Sequence, residues 1–344
     1  MGTESLRVKE FAWHAANRDW RRGDMLTAGI DVGSVASKAV ILADGALVAY
    51  GIMWNETKGT RDAQKSLEAA LKGTGVLAKD VDYVVGTGCG EADFSVVKRT
   101  VSEISCHAKG VNHSIGPSLR TVLVIGGREC VAMHCKEGGQ VTEFISNACP
   151  PSYCRENPCG ACGAAQGRGM EVVADYLGVP LERIGAVSLK VTDKQLKERL
   201  ALPLDKRARV YDEVLEEMNK EVITGGHLLD GGLPPLGGAL SVVCDVLAKS
   251  QTSALLRNGW SKEEILAVHS AALAHQAAML VKRLGVTGDL AVVGGVANNV
   301  GVVRRLENEL AVRAVVMKPD PQLSAALGAA LYAGYFLGKA RKAS

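Results

Sequence analysis

The apolar residues of this chain fall into two blocks that repeat one another. After a polar leader ending near Asp24, LTAGIDVG, SKAVILAD and GALVAYGIMW are short apolar runs, with Ala-Asp-Gly at the turn between the second and third. They predict three strands in an antiparallel meander. About ninety-five residues later RTVLVIGG, ECVAMHC and QVTEFIS repeat the order, with Lys-Glu-Gly-Gly at the tight turn. Self-similarity at this spacing predicts an internally duplicated fold. Between the blocks the pattern predicts a helix over 60–72 and a strand at VDYVVGTG. Beyond them it predicts long helices at AQGRGMEVVADYLG and KEEILAVHSAALAHQAAMLVKRLG. DLAVVGGVA reads as another buried strand, and SAALGAALYAGYFLG as a last helix that packs back on the first lobe. The leader reads as helical. The segment 190–238 reads as a charged helix from Lys206 to Lys220, then a Gly- and Pro-rich lid or interface loop.

Strands mixed with helices in two copies predict the α/β class and two lobes. The expected boundaries are an extension at 1–24, a first lobe at 25–119 with 320–344 packing back on it, and a second lobe at 120–319. Hydrophobic residues make up 47% of the 344 and aromatics only 4%, so Ala, Val, Leu and Ile must fill the cores. A net charge of +3, and one basic cluster (Arg18 to Arg22, with Arg7 and Lys9 upstream) without interleaved aromatics, argue against nucleic acid. No stretch reads as the roughly 20 apolar residues that span a bilayer, and no apolar core precedes a small-residue cleavage site, so a cytoplasmic protein off the membrane is expected. Nine cysteines in such a compartment argue for metal or redox chemistry before disulfides.

Glycine turns carry the first chemistry. Gly29-Ile30-Asp31-Val32-Gly33-Ser34 ends a strand where backbone can approach phosphate, Asp31 can hold a hydrated magnesium, and Ser34, Ser37 or Lys38 can donate to oxygens. An Asp-x-Gly turn by itself is more often purely structural. Its companions strengthen it: Gly126-Gly127 at the corresponding place in the second copy, Gly86-Thr87-Gly88, and Gly294-Gly295 with Asn298 and Asn299 all end strands. Four such turns on one edge suggest a nucleotide.

Cysteines at helix starts carry the second. Cys162 opens CGAAQGRGME, and Cys244 precedes the helix DVLAKSQ. Two thiolates per chain cannot complete a four-thiolate iron–sulfur shell, so either a two-fold dimer shares one cluster or other cysteines contribute. Cys149, Cys154 and Cys159 stand immediately before Cys162, with Cys130 and Cys135 one strand earlier. Zinc suits such a set too, and buried thiols without metal are the plain alternative. Cys89 and Cys106 read as buried thiols, and His107 as a satisfied core or dimer-contact histidine.

GIDVGSVASKAVIL, EISCHAKG, CGAAQGRG, Cys244 before its helix, and GGVANN occur in one order over 25–338, with LGAALYA in the last helix. In these the chain resembles the ATPase activators of 2-hydroxyacyl-CoA dehydratases and the ATP-binding subunits of benzoyl-CoA reductase. The resemblance implies the duplicated, two-lobed fold of acetate and sugar kinases, Hsp70 and actin. It also implies ATP with Mg²⁺, and a homodimer sharing one [4Fe–4S] cluster through Cys162 and Cys244 of each subunit. The expected activity is ATP-driven electron transfer from reduced ferredoxin or flavodoxin to a CoA-ester dehydratase or reductase. By the same resemblance Asp31, Gly33 and Ser34 face phosphate and magnesium, Gly126 and Gly127 the opposite phosphate side, and Gly294, Gly295 and Asn298 the adenosine.

Three departures qualify the resemblance. Where the family has Asp-Ile-Gly-Gly-Gln-Asp this chain reads Val124-Ile125-Gly126-Gly127-Arg128-Glu129, so Glu129 is the candidate acid and Arg128 the candidate phosphate clamp. The cysteine insert and the long 190–238 segment are the others, the insert a candidate for a further cluster or metal and the long segment for a partner contact. Two rival readings stay open: a subunit of a benzoyl-CoA-reductase-like complex, and a zinc-binding regulator whose degenerate cleft only senses nucleotide.

Overall fold

A computed structural model describes residues 10–15, 25–55, 62–88, 96–146, 166–200 and 245–343. They form two sheets built to one plan. In the first, β2 (Leu26–Val32), β3 (Ala36–Ala43) and β4 (Ala46–Trp54) make the antiparallel meander. β5 (Tyr83–Gly88) and the short β6 (Arg99–Thr100) then add in parallel beyond β2. In the second, β7 (Leu119–Ile125), β8 (Cys130–Cys135) and β9 (Val141–Ser146) repeat the meander, and β10 (Asp289–Val293) and β11 (Ala314–Val315) repeat the parallel additions. The expected duplication is therefore present in strand order and direction.

The leader differs from expectation. Glu10–His14 is a strand, β1, paired antiparallel with the outer edge of β4. An open edge and an aromatic partner override the weak helical reading of a polar segment: the Trp13 and Phe11 rings lie 5.5 and 5.9 Å from that of Tyr50 on β4.

Alternation along the strands decides what each face packs against. On β2, Ala28, Ile30 and Val32 meet Ala63, Leu67 and Ala70 of α1 (Asp62–Leu71). The other face of β2 meets the last helix, α9 (Ser324–Ala343), where the Thr27 hydroxyl donates to the Ala330 carbonyl. On β7, Val122 and Val124 share a cluster with Val40 and Ile52 of the first sheet, with Val111 of α2 (Glu103–Ile115) and with Ala326 and Ala330 of α9. Leu123 and Ile125 point the opposite way. They enter a core with α3 (Gln166–Leu177), α6 (Asp245–Arg257), α7 (Lys262–Leu284) and α8 (Val300–Leu310). Thus α2 and α9 share one core with both sheets, while α1 and the α3/α6/α7/α8 group cover the other faces.

Small residues set the closeness of this middle layer. A Cβ on Gly328 of α9 would stand 1.8 Å from the Cys106 carbonyl oxygen of α2. One on Gly29 would stand 2.1 Å from the Ala326 carbonyl oxygen.

By length and composition α7 is apolar enough to cross a bilayer, unlike anything the sequence reading picked out. It has 23 residues with hydropathy 1.3, but 72% of its apolar window is buried inside the protein, as a core helix requires. Its start is fixed by a capping box, in which the Ser261 hydroxyl accepts from the Glu264 N–H and the Glu264 carboxylate accepts from the Ser261 N–H. Of the 190–238 segment, Asp193–Leu200 forms a helix, α5, after the short α4 (Ile184–Ser188). The expected helix at Lys206 to Lys220 lies outside the described residues.

Candidate functional site

The strand ends of the two copies meet at one edge. Asp31 and Lys38 are cross-strand partners on β2 and β3, and their side chains form an ion pair of 2.8 Å. Gly33 makes room for it: a Cβ there would stand 2.9 Å from the Lys38 ammonium. Asp31 is almost fully buried, and its Oδ1 has no hydrogen-bond partner. Burial pushes its carboxyl above the ordinary value, against the opposing pull of Lys38. An unpartnered, buried carboxylate oxygen at a strand end suits a hydrated cation or a donor on an entering ligand.

The second copy shows what has been lost. Register places Val124 opposite Val131 on β8, as Asp31 stands opposite Lys38. The charged pair has become an apolar one, so the acid side of the site rests on the first copy and on loops. Asn55 braces the first turn: its amide donates to the Gly33 carbonyl and its Oδ1 accepts from the Ser37 hydroxyl. Ser37 is thus fully buried and engaged in holding the turn.

The two glycine turns touch. A Cβ on Gly127 would stand 2.4 Å from Val35 Cγ2 and 3.2 Å from Ser34 Oγ, so only glycine lets the turns approach this closely. At the parallel additions, Gly88 and Gly294 both have positive φ, 109° and 90°, and a Cβ on either would strike the backbone oxygen of its neighbour, Val32 or Ile125. The duplication thus extends to matching strand-end turns.

Glu103 and Glu129 complete the cluster. Glu103 opens α2 directly after Ser102, whose hydroxyl caps the helix by accepting from Ser105 N–H. Glu129 comes from the β7–β8 turn, and the two carboxyl groups lie close enough across the edge to shift one another's proton affinity in opposite directions. Burial first, then the neighbouring Glu103 carboxylate, raise Glu129 to about 7. Burial alone would raise Glu103 as well. His107 and Lys38 outweigh it and hold Glu103 below the ordinary range. One proton is therefore shared by two acids, with Glu129 the donor.

The other expected residues are placed as follows. Gly29 lies inside β2, the space of its missing side chain filled by α9 instead of opening on the turn. Arg128 is exposed on the second turn. Gly295 leads into Asn298, which donates to Asp320 Oδ1 at 3.2 Å. Cys149, Cys154, Cys159, Cys162 and Cys244 lie outside the described residues, as does Cys89. Cys106 is a buried thiol, as expected, raised to about 12 by burial, and burial likewise raises Cys130 and Cys135. Among the described residues no three His, Cys, Asp or Glu side chains are grouped to hold a metal alone.

Sequence reasoning missed Glu103 as a site residue, although its motif was among those that carried the resemblance. The available signal was a carboxylate at the first position of a helix that follows a strand-end turn. Position alone does not say that the helix start faces the second copy.

The strand-end edge continues into α3. The Gly126 and Gly127 carbonyls accept from the Gly167 and Arg168 N–H groups at 3.1 and 2.9 Å, so the second turn caps the start of this helix. Four residues before Gln166, the first residue of α3, stands Cys162. The helix that follows Cys244 is α6, and α3 and α6 pack against each other.

Residues 28–333 match the model of the BadF/BadG/BcrA/BcrD ATPase family. The chain is 31% identical to the activator of lactoyl-CoA dehydratase of Anaerotignum propionicum over 90% of its own length and 97% of that protein's. It is 30% identical to the (R)-2-hydroxyglutaryl-CoA dehydratase activating ATPase of Acidaminococcus fermentans, over 89% and 96%. The solved activator of the 2-hydroxyisocaproyl-CoA dehydratase from Clostridium difficile, with bound ADPNP, superposes with a TM-score of 0.70 at 30% identity, over 93% of this chain and 98% of that one. The chain belongs to the BadF/BadG/BcrA/BcrD ATPase family and has the duplicated α/β fold of actin-like ATPases.

Proposed function

We propose that this protein is an ATP-dependent activator that donates low-potential electrons to a 2-hydroxyacyl-CoA dehydratase or a related CoA-ester reductase. The observation that carries this is the hydrogen-bonded contact of the Gly126-Gly127 turn with the start of α3, because it ties a phosphate-facing turn to the helix behind Cys162. In this reading Asp31, with Ser34 and Gly33, receives magnesium and phosphate, Gly127 and Arg128 close the other side, and Gly294, Gly295 and Asn298 border the adenosine. Glu129 keeps a proton at its carboxyl, and Glu103 keeps the charge that orients water. Occupation or hydrolysis at the turn then shifts α3 and α6 relative to the 25–119 lobe, onto which 320–344 folds back.

Cys162 and Cys244 of two subunits would hold one [4Fe–4S] cluster, which supplies a one-electron centre when bound. Reduced ferredoxin or flavodoxin is the donor, and Cys149, Cys154 and Cys159 are available for a further metal.

Anaerobic purification with iron, acid-labile sulfide and zinc analysis tests the reading, together with electron paramagnetic resonance before and after ATP. About two iron and two sulfide per chain are expected, lost in Cys162→Ser and Cys244→Ser. Zinc alone, or no metal, would sink it.

A further inference from the structure

We propose that His107 is a positioning residue for ATP hydrolysis: fixed by Ser324, it aims the Glu103 carboxylate at the nucleotide edge. The inference rests on Glu103 acting at that edge.

The chain of contacts begins at Gly294, whose N–H donates to the Pro321 carbonyl at 3.0 Å. The same carbonyl accepts from the Ser324 hydroxyl at 3.1 Å. With its only proton so engaged, Ser324 Oγ can only accept from His107 Nδ1, 2.8 Å away, which places the hydrogen on that ring nitrogen. The ring plane is thereby fixed, and Nε2 faces Glu103 Oε1 at 3.6 Å, one helical turn earlier on α2; with Nδ1 already carrying a hydrogen, the ring pairs with the carboxylate as the imidazolium, which carries a second hydrogen on Nε2. Ser324 is fully buried and His107 nearly so, so the contact between them is screened from solvent.

Ser324 is itself held from two sides. It is the first residue of α9, and its carbonyl oxygen would stand 2.0 Å from a Cβ on Gly110, so α2 and α9 meet backbone to backbone at this point. His107 therefore reads the position of the β10 turn and passes it to Glu103.

Three variants separate these roles. His107→Gln retains an amide long enough to reach Glu103. His107→Asn retains a donor to Ser324 but cannot reach Glu103, and His107→Ala retains neither. Expected are kcat losses of about 10–100-fold in Asn and Ala, with KM for ATP within about threefold of the parent and substantial recovery in Gln. Melting temperatures and ADP binding establish that each variant is folded.

A structural role predicts the opposite order, with Asn active and Gln impaired, or a lowered melting temperature with kcat intact in all three. Either result overturns the proposal. Glu103→Gln is the control for the underlying site. If it hydrolyses ATP normally, the site reading fails and the proposal with it. If it is inactive while the His107 variants turn over normally, the positioning role alone fails.

Discussion

Replacing Glu129 by Gln tests the shared proton directly. Glu129 titrates near 7 in the folded protein against an ordinary 4.5. The folded state therefore binds the extra proton between those values, and stability falls as pH rises through that window. The full penalty is present above about 7 and absent below about 4.5. At about 1.4 kcal/mol per tenfold change in proton affinity, the displacement sets a ceiling of about 3 kcal/mol. Partial exposure and the sharing with Glu103 reduce this to about 1–2 kcal/mol. Glutamine is neutral at every pH and can donate to Glu103 as the protonated acid does. Reversible thermal unfolding should put the variant about 2–4 °C above the parent at pH 8 and level with it near pH 5. An equal offset at both pH values, or a variant less stable at pH 8, would refute the reasoning.

Asp31→Asn removes the carboxylate paired with Lys38, whose side chain is 14% exposed, and magnesium-dependent ATP turnover should fall about 100-fold or more while the circular dichroism spectrum is retained. Gly328→Ala places a methyl against the Cys106 carbonyl, and should cost about 1–3 kcal/mol or more in urea unfolding, with loss of folded protein on expression as the extreme outcome. Arg305→Lys keeps the charge but loses the planar fork that bonds Asp193, Ser188, Val191 and Gly301. Unfolding should become easier by about 2–4 kcal/mol, and a change under 0.5 kcal/mol would show that the fork contributes little.

Much of this molecule was legible in the sequence because the signals were local. Apolar runs of strand length, tight turns and their repetition determined two meanders. Glycines at strand ends marked the edge where the two copies meet, and five ordered motifs carried the family. Three features depended on contacts between distant segments. β1 exists because β4 offers an open edge and Tyr50 an aromatic surface, neither visible from Glu10–His14. Gly29 resembles a phosphate-turn glycine in its motif, yet α9, some three hundred residues later, occupies the space beside it. Glu103 and Glu129 come from different copies of the repeat, and only the packing of α2 and α9 between the sheets brings them close enough to share a proton. Sequence determines periodicity and turn chemistry because these act over a few bonds. Burial and the proximity of charges are set by the whole chain, and with them the proton affinities on which the site depends.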